Sequence, residues 1–407
     1  MSDIAIDRGL AQRAKAPLGL VLLLGALTAF GPISIDMYLP ALPGMTKALH
    51  TTAAAGQWTV AAFFIGISVG QLFYGPLSDR YGRRPPLLLG MALYVAATIG
   101  CALAPSIELL IGFRLIQAVG GCAGMVIART VVRDRFASNE VLHVFSMLML
   151  VMGMAPILAP LFGGWVLLVA DWRWIFGAQA IFGLVVATAV VFGLPESRSA
   201  ETAAQALAEH PLQSYLAMLR QRRFLGYMLT SAAAGAALFT YVSCSPDVVI
   251  GFFHISAQAF GWVFGINAVG MVLATQVNAR LARRYPSDQI MGLANSAILA
   301  VAAALMADAV TGFGGVWGVL APLFLIMAGL GFNQSNAAAG AFNVDPTRAG
   351  STSALLGASA FGVGAVCSGL AGALRDGTPR PMALVIVISM LASVVCLRTL
   401  VTRPGRG

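Results

Sequence analysis

Long apolar runs alternate with short polar segments along almost the whole of this sequence. Each run has roughly the 20 residues that an α-helix needs to cross the hydrocarbon core of a bilayer. The runs are continuous and do not alternate as the strands of a membrane barrel would, so the pattern predicts helices. We therefore predict an all-α membrane protein with twelve spans, at residues 17–41, 56–77, 85–104, 107–128, 141–169, 173–194, 224–249, 258–279, 289–310, 315–337, 350–373 and 380–400.

The longest polar interruption divides these spans into two sets of six. It predicts an N-terminal six-helix bundle at 1–194, a cytoplasmic linker at 195–223 and a C-terminal bundle at 224–407. Within the linker, Leu212, Leu216 and Leu219 recur at helical spacing, which fits either a short interfacial helix or an ordinary solvated linker. "NARLARRYP" (278–286) echoes "GPLSDRYGRRP" (75–85) about half a chain length later, which suggests duplicated halves.

Composition and charge agree with a membrane location. The 407 residues are 58% hydrophobic and 10% charged, whereas a soluble domain is about 25% charged. The net charge of +9 comes from arginines clustered in the segments on the N-terminal side of the spans, and the other side holds only Lys47, Arg173, Arg375 and Arg380. This asymmetry is typical of membrane topology and not of nucleic-acid binding. It predicts cytoplasmic termini and, for a bacterial chain, a multi-pass protein of the inner membrane.

The sequence has no pattern typical of an enzyme or a cofactor site. It contains no P-loop, no Rossmann glycine pattern and no His or Cys spacing for a metal. The five cysteines lie in apolar runs without paired spacing, which indicates free thiols. We therefore predict neither enzymatic activity nor a cofactor.

The strongest local motif is "GPLSDRYGRRP", between the second and third runs. It matches the signature loop of the major facilitator superfamily, G-x-L-x-D-R-x-G-R-R. In that family the loop is a structural latch between conformations and not a substrate site. The resemblance therefore implies a gating role for Gly75, Asp79, Arg80, Gly82, Arg83 and Arg84.

Two further motifs point to the same family. "RLIQAVGG" (114–121) matches its fourth-span pattern, and "GMAPILAPLFGG" (153–164) resembles the fifth-span motif of its antiporter branch, with Ala155 in place of one glycine. In physical terms, small residues and prolines let a kinked helix pack closely and bend. The candidates for this gating role are Gly153, Pro156, Pro160, Gly163 and Gly164.

Together with "DMYLPALP" (36–43), these motifs resemble the Bcr/CflA group of drug-resistance exporters, relatives of bicyclomycin and chloramphenicol pumps. The resemblance implies a fold of two six-helix repeats, exchange of protons for lipophilic drugs, and a proton-coupling role for the first-span acid and the fourth-span arginine.

Asp36 is the one charged residue between Ala16 and Thr46, and Arg114 lies inside the fourth run. At 1.5 Å per residue, they lie about 30 Å and about 22 Å from the cytoplasmic ends of their helices, so both fall in the outer half of the membrane. Ionisable groups at such depths usually line transport pathways. We predict that Asp36 binds the proton, that Arg114 tunes it and that Gln117 helps to hold the arginine. The partner of Arg114 is left open among Asp36, Gln117 and main-chain carbonyls.

A mostly apolar cavity with a few polar groups suits lipophilic substrates. The candidates for contact with substrate are Tyr38, Trp58, Gln71, Tyr241, Asn267, Asn333, Gln334 and Asn336. For each of them, a lipid-facing or helix-packing role is the alternative. Asp247 is expected near the outer mouth, with an accessory titrating role as its alternative.

The sequence thus predicts a monomeric, proton-driven exporter of lipophilic small-molecule drugs that works by alternating access. Two alternatives are carried forward. One is a proton symporter or facilitator for a small polar metabolite, and the other is a membrane sensor that does not transport.

Overall fold

The structure, a computed structural model, describes residues 18–136, 138–199 and 211–402, with only the backbone of 138, 139, 142 and 143. The helices are, in chain order, α1 (Leu18–Thr28), α2 (Phe30–Asp36), α3 (Leu42–Ala48), α4 (Ala53–Tyr81), α5 (Arg84–Leu103), α6 (Ile107–Arg135), α7 (Ser138–Val169), α8 (Arg173–Gly193), α9 (Pro211–Leu219), α10 (Arg222–Pro246), α11 (Ala257–Leu281), α12 (Ser287–Thr311), α13 (Gly315–Val344), α14 (Ala349–Ala373) and α15 (Arg380–Cys396). A 3₁₀ turn at Leu39–Ala41 joins α2 to α3, and π-helical turns extend α10 and α15.

The predicted all-helical membrane fold is confirmed. In the described residues, eleven helices are long and apolar enough to span a membrane, and the bent pair Leu18–Thr28 and Phe30–Ala48 makes a twelfth. Several helices run beyond the predicted apolar runs, and α6, for example, continues to Arg135. Charged residues end an apolar run but not a helix, because the solvated turns of a helix need no apolar side chains.

The first span is broken, and this break places the acid. Pro32 has no N–H to donate to the carbonyl of Thr28, and in a continuous helix its ring would clash with that carbonyl. Accordingly, α1 ends at Thr28 and α2 begins at Phe30. The two parts of this bent span, Leu18–Thr28 and Phe30–Ala48, meet at an angle of 42°. The second part begins with the short helix α2, and Asp36 is the last residue of α2.

Small residues let the spans of the first half approach closely, as expected where no hydrophobic effect drives helices together in lipid. Gly66 of α4 packs on the main chain of α6, where an added Cβ would lie 2.5 Å from the carbonyl oxygen of Leu115. Gly120 of α6 packs on α5 in the same way, with an added Cβ 2.5 Å from the carbonyl oxygen of Gly90.

Two helix pairs join the first six spans to the last six. In one pair, α4 packs along α14, and Ser68 donates a hydrogen bond of 2.7 Å to the carbonyl oxygen of Ala358. In the other pair, α7 packs along α11, where the backbone and side chain of Leu161 lie against Gly261. These two pairs are the most extensive contacts between the two sets of spans.

The segment between the halves contains a short helix, α9, as one of the two readings of its leucines predicted. Leu212 and Leu216 are exposed on one face, and Met218 is fully buried on the other. Tyr215 donates a hydrogen bond of 2.9 Å to the carbonyl oxygen of Leu72 in α4. Residues 200–210 of the predicted linker lie outside the described residues.

The close approach of α5 and α6 predicts a large difference between two glycines of the same helix. Gly120→Ala places a methyl group against the main chain of α5, and we expect it to lower the free energy of unfolding by about 1–3 kcal/mol. Gly112 has no atom within 4 Å of an added Cβ, so Gly112→Ala is the matched control and should be neutral or slightly stabilising. Denaturant unfolding in detergent measures both, and equal effects would contradict the packing.

Candidate functional site

Asp36 carries a buried carboxylate within the first span. Its side chain lies where α2 ends, and the residue is only 6% exposed. Among the described residues its side chain has no hydrogen bond and no ion pair. From the second half of the chain, Tyr241 lies within electrostatic range of Asp36. The acid therefore stands at the junction of the halves, free to bind a proton.

Arg114 binds the chain beside Asp36 and not its carboxylate. Its Nη1 donates hydrogen bonds of 2.9 Å to the carbonyl oxygen of Ser34 and 2.7 Å to Oε1 of Gln117. The guanidinium carbon lies 4.2 Å from the centre of the Phe63 ring and 4.8 Å from that of Tyr38. Of the partners that the sequence left open, the structure thus selects Gln117 and a main-chain carbonyl.

Gln179, which the sequence analysis did not single out, continues this network. Its Oε1 accepts a hydrogen bond of 3.0 Å from Nε2 of Gln117, and its own Nε2 donates one of 3.2 Å to the carbonyl oxygen of Ile33. Carbonyl groups near the C-terminal end of a helix lack N–H partners within the helix. In α2, the side chains of Arg114 and Gln179 donate to these carbonyls instead. The signal was present in the sequence, since Gln179 is the one amide in the apolar run of α8.

Tyr38 belongs to the same cluster. Its fully buried ring lies beside that of Phe176, with ring centres 5.2 Å apart. Its hydroxyl shares a hydrogen bond of 3.0 Å with Oγ1 of Thr59 on α4. Tyr38 therefore helps to fix the irregular segment that follows Asp36.

Aromatic rings cross the junction between the halves. Phe239 of α10 lies 4.6 Å, between ring centres, from Phe64 of α4 and 4.6 Å from Phe361 of α14. Tyr241, on the same helix as Phe239, stacks on Phe264 at 5.4 Å and accepts a hydrogen bond of 2.6 Å from Nδ2 of Asn267. Tyr241 and Asn267 are the predicted substrate residues that the structure brings together.

Three other predicted substrate residues make polar contacts inside the second half. Asn333 donates a hydrogen bond of 2.8 Å to Asn295, towards α12 and away from the first half. Asn336 donates one of 2.7 Å to Asn278 of α11. Gln334 accepts one of 2.8 Å from Ser231 of α10. These contacts fit the helix-packing alternative that the sequence left open for these amides.

Trp58 and Gln71 both lie on α4 where it packs against α14. The edge of the Trp58 ring approaches Gly369, while the rest of the side chain is exposed, with 44% of the residue accessible. Gln71 is buried against Gly357. They are residues of the contact between halves.

The fifth-span motif residues divide between two contacts of α7. Gly153 and Gly164 face α11, near Val272 and Ala257. Gly163 packs on the carbonyl oxygen of Met37, directly after Asp36. Pro156 and Pro160 lie inside the same helix.

The signature loop is tied to the first half. Arg83 is almost fully buried and forms ion pairs with Asp79 and, at 2.8 Å, with Asp134 of α6. Burial opposes the charge, but the two carboxylates raise the pKa of Arg83 above its usual value. Gly82 takes the left-handed backbone at φ 97° that a glycine adopts without strain. Gly75, Arg80 and Arg84 lie in the flanking helices.

Glu196, absent from the sequence prediction, closes this loop. Its carboxylate accepts hydrogen bonds of 2.9 Å and 3.1 Å from the backbone N–H groups of Arg83 and Arg84. Burial acts to raise the pKa of Glu196, but backbone N–H donors lower it below its ordinary value. The loop is therefore held to the segment after α8.

At the face opposite the signature loop, a polar contact links the halves. Gln57 of α4 donates a hydrogen bond of 2.7 Å to Oδ2 of Asp247, which also pairs with Arg375 at 3.2 Å. They line a small cavity of about 100 Å³ together with Cys244. Gln57 and Arg375 were not predicted to take part, because only the fold brings residues so distant in sequence together.

Comparison with known proteins assigns the family. Residues 22–369 match the family described as Major Facilitator Superfamily. The chain belongs to this superfamily.

Relatives and a solved structure support the assignment. The chain is 28% identical to a bicyclomycin resistance protein homolog of Haemophilus influenzae, over 94% of this chain and 96% of the relative. It is 32% identical to a chloramphenicol resistance protein of Pseudomonas aeruginosa, over 94% and 90%. A D-xylose-proton symporter has the same fold, with a TM-score of 0.72 over 94% of this chain and 98% of that one at 13% identity. The predicted resemblance to the Bcr/CflA group is confirmed.

The different bonding of the two buried charges predicts different effects on stability. Asp36→Asn loses no bond within the described protein, so its free energy of unfolding should stay within about 0.5 kcal/mol of wild type. Arg114→Ala leaves a cavity and two acceptors unpaired, and should cost about 2–5 kcal/mol. Denaturant titration in detergent measures both. A large loss in Asp36→Asn would show that the carboxylate has a structural partner.

The contact of Gln57 with Asp247 predicts control of access at that face. Asp247→Ala removes an acceptor that joins the halves, and we expect Cys244 to react about tenfold faster with a membrane-impermeant maleimide, as the loss of one charged hydrogen bond implies. Peptide mass spectrometry reads the modified cysteine. Asp171→Ala, which removes a carboxylate that accepts from its own turn at the N–H of Arg173, is the control. Unchanged labelling in Asp247→Ala would contradict the gating role.

Proposed function

We propose that this protein is a proton-coupled multidrug exporter, which exchanges protons for lipophilic small molecules of the bicyclomycin and chloramphenicol class. Two of its relatives are named for resistance to these drugs. Another relative, 29% identical over 96% of this chain, is a multidrug resistance protein of Escherichia coli. The proposal transfers their class of activity to this chain.

One observation carries the coupling mechanism. Asp36 is a nearly buried carboxylate with no partner in the described protein, and it lies where the halves meet. An acid without a bonded cation keeps its capacity to take up and release a proton as its access to water changes. Proton and drug then compete, because the arrangement of the halves that favours a protonated Asp36 differs from the arrangement that favours bound drug.

Arg114 and the amides act by holding the main chain. Arg114 and Gln179 bind the carbonyl groups of Ser34 and Ile33, and Gln117 links the two. We propose that Arg114 tunes Asp36 by fixing the segment that carries it and by placing positive charge nearby. Gln117 and Gln179 are positioning residues in this scheme.

For the substrate we propose a cavity at the junction of the halves. Tyr241 and Asn267 supply its polar groups, and Phe64, Phe239 and Phe361 supply apolar surface. Such a mixture suits lipophilic compounds that carry a few polar groups. Tyr38 borders the same region. Trp58, Gln71, Asn333, Gln334 and Asn336 remain predicted candidates with a second, structural role.

Transport follows from rocking of the two halves, residues 1–194 and 224–407, about the pairs α4–α14 and α7–α11. The small residues of α7 permit the motion, and the signature loop stabilises one of the two states. We propose a monomer in the bacterial inner membrane with both termini in the cytoplasm, driven by the proton gradient without a cofactor. Clustered arginines favour this orientation.

A proton symporter for a polar metabolite is less well supported. The D-xylose-proton symporter shares the fold at 13% identity, a level at which only the fold is shared. The amides that a polar substrate would need, Asn333 and Asn336, are hydrogen-bonded to other amides of the second half.

Inside-out membrane vesicles test the proposal. With an imposed proton gradient, acidic inside, wild-type vesicles should accumulate labelled chloramphenicol, because its entry is exchanged for protons that leave. Asp36→Asn should abolish accumulation against the gradient while drug-for-drug exchange persists. Asp308→Asn, at a turn where the acid accepts a hydrogen bond from the N–H of Gly314, is the control. Accumulation by Asp36→Asn would contradict the coupling role. If neither the wild type nor the control accumulates any of a panel of lipophilic drugs, the export function itself is wrong.

A further inference from the structure

The second half carries a surface groove that is separate from the junction described above. It has a volume of about 550 Å³ and lies between the C-terminal end of α11, the N-terminal half of α12 and the middle of α13. Its floor includes Ile298 and Gly329, and its walls include Leu293, Leu325 and Phe332. Gln289 is the one amide side chain among its lining residues. The groove therefore fits a hydrocarbon chain.

The length of the groove matches one leaflet of a bilayer. Its lining on α12 runs from Gln289 to Val301, which is about 18 Å at the helical rise. Half of the hydrocarbon core is about 15 Å thick. The groove begins at the arginine-rich face and ends near the middle of the membrane, as one acyl chain of that leaflet does.

The mouth of the groove carries positive charge that no acid of the described residues pairs with. Arg283 and Arg284 lie between two lining residues, Leu281 and Tyr285, and both are exposed. Within the described part of the chain, the side chains of Arg280, Arg283 and Arg284 form no hydrogen bond and no ion pair. These cations are available to a negatively charged group at the membrane surface.

The acid that follows these arginines most closely in the sequence, Asp288, does not pair with them. Asp288 accepts a hydrogen bond of 2.8 Å from the hydroxyl of Tyr227, and it lies 3.8 Å from the guanidinium of Arg223. Its carboxylate is thus engaged towards α10. Arginines beside an apolar groove between spans attract the head group of an anionic lipid.

We propose that this groove binds one anionic phospholipid from the leaflet on the arginine-rich face. An acyl chain fills the apolar channel, and the phosphate head group contacts Arg283 and Arg284. Binding requires both parts of the lipid, because the arginines are exposed to water and the groove alone has no charge selectivity. The site is independent of the proposed transport reaction.

Native mass spectrometry of the detergent-purified full chain tests the proposal. Wild type is titrated with dioleoyl phosphatidylglycerol, with dioleoyl phosphatidylcholine and with soluble glycerol phosphate. We expect the anionic lipid to bind about tenfold or more tightly than the zwitterionic one, and glycerol phosphate not to bind. Equal affinity for the two lipids, or tight binding of glycerol phosphate, would overturn the proposal.

Two kinds of variant separate the head group from the chain. The double variant Arg283→Gln and Arg284→Gln should lose the preference for phosphatidylglycerol, whereas Arg135→Gln with Arg220→Gln, an equal loss of charge at the same face, should keep it. Ala297→Trp fills the groove and should weaken both lipids. Retention of the wild-type melting temperature confirms that each variant is folded.

The outcomes that contradict the site are distinct. If the control pair weakens binding as much as the Arg283 and Arg284 pair does, the attraction is general and there is no site. If Ala297→Trp leaves lipid affinity unchanged but weakens binding of a lipophilic drug, the occupant is substrate and not lipid.

Discussion

A buried acid with no partner among the described residues, located where the two halves of a membrane protein meet, is the constraint on which the rest of this structure depends. An ionised carboxylate in hydrocarbon costs several kcal/mol, so Asp36 is stable only if it is protonated or has access to water. No cation of the described residues is bonded to it, although Arg114 binds the carbonyl oxygen of Ser34 two residues away. The proposed mechanism therefore links the charge state of Asp36 to the arrangement of the halves around it.

Several other polar side chains within the spans are hydrogen-bonded to partners in their own half. Asn333, Asn295 and Ser393 form a continuous chain of hydrogen bonds in the second half. Gln117 and Gln179 do the same in the first half. Polar groups that find partners inside one half can move with it as a rigid body, since nothing in their surroundings changes. Asp36 and the Gln57–Asp247 contact are different, because their surroundings include the other half.

The sequence predicted the fold well because hydropathy and charge asymmetry are properties of local segments. All twelve spans followed from apolar runs, and the motifs around Arg83 and Gly163 indicated the family. Asp36 and Arg114 stood out because charge is rare in such runs. The pairing of Arg114 with a carbonyl, the bridge from Gln57 to Asp247 and the role of Glu196 depend on contacts between distant segments, which no local pattern encodes. Asn333 and Asn336 show the limit of this reasoning. A polar residue in a span can line a cavity or bind another polar residue, and the sequence does not distinguish the two.

The most direct test of the account is drug-induced proton release from the purified protein. In weakly buffered detergent, addition of a chloramphenicol-like drug to wild type should release protons, because the drug displaces the proton from Asp36. The same addition to Asp36→Asn should release none, although the drug still binds, and Asp247→Asn should behave as wild type. Proton release that survives in Asp36→Asn would place the coupling site elsewhere and contradict the central claim.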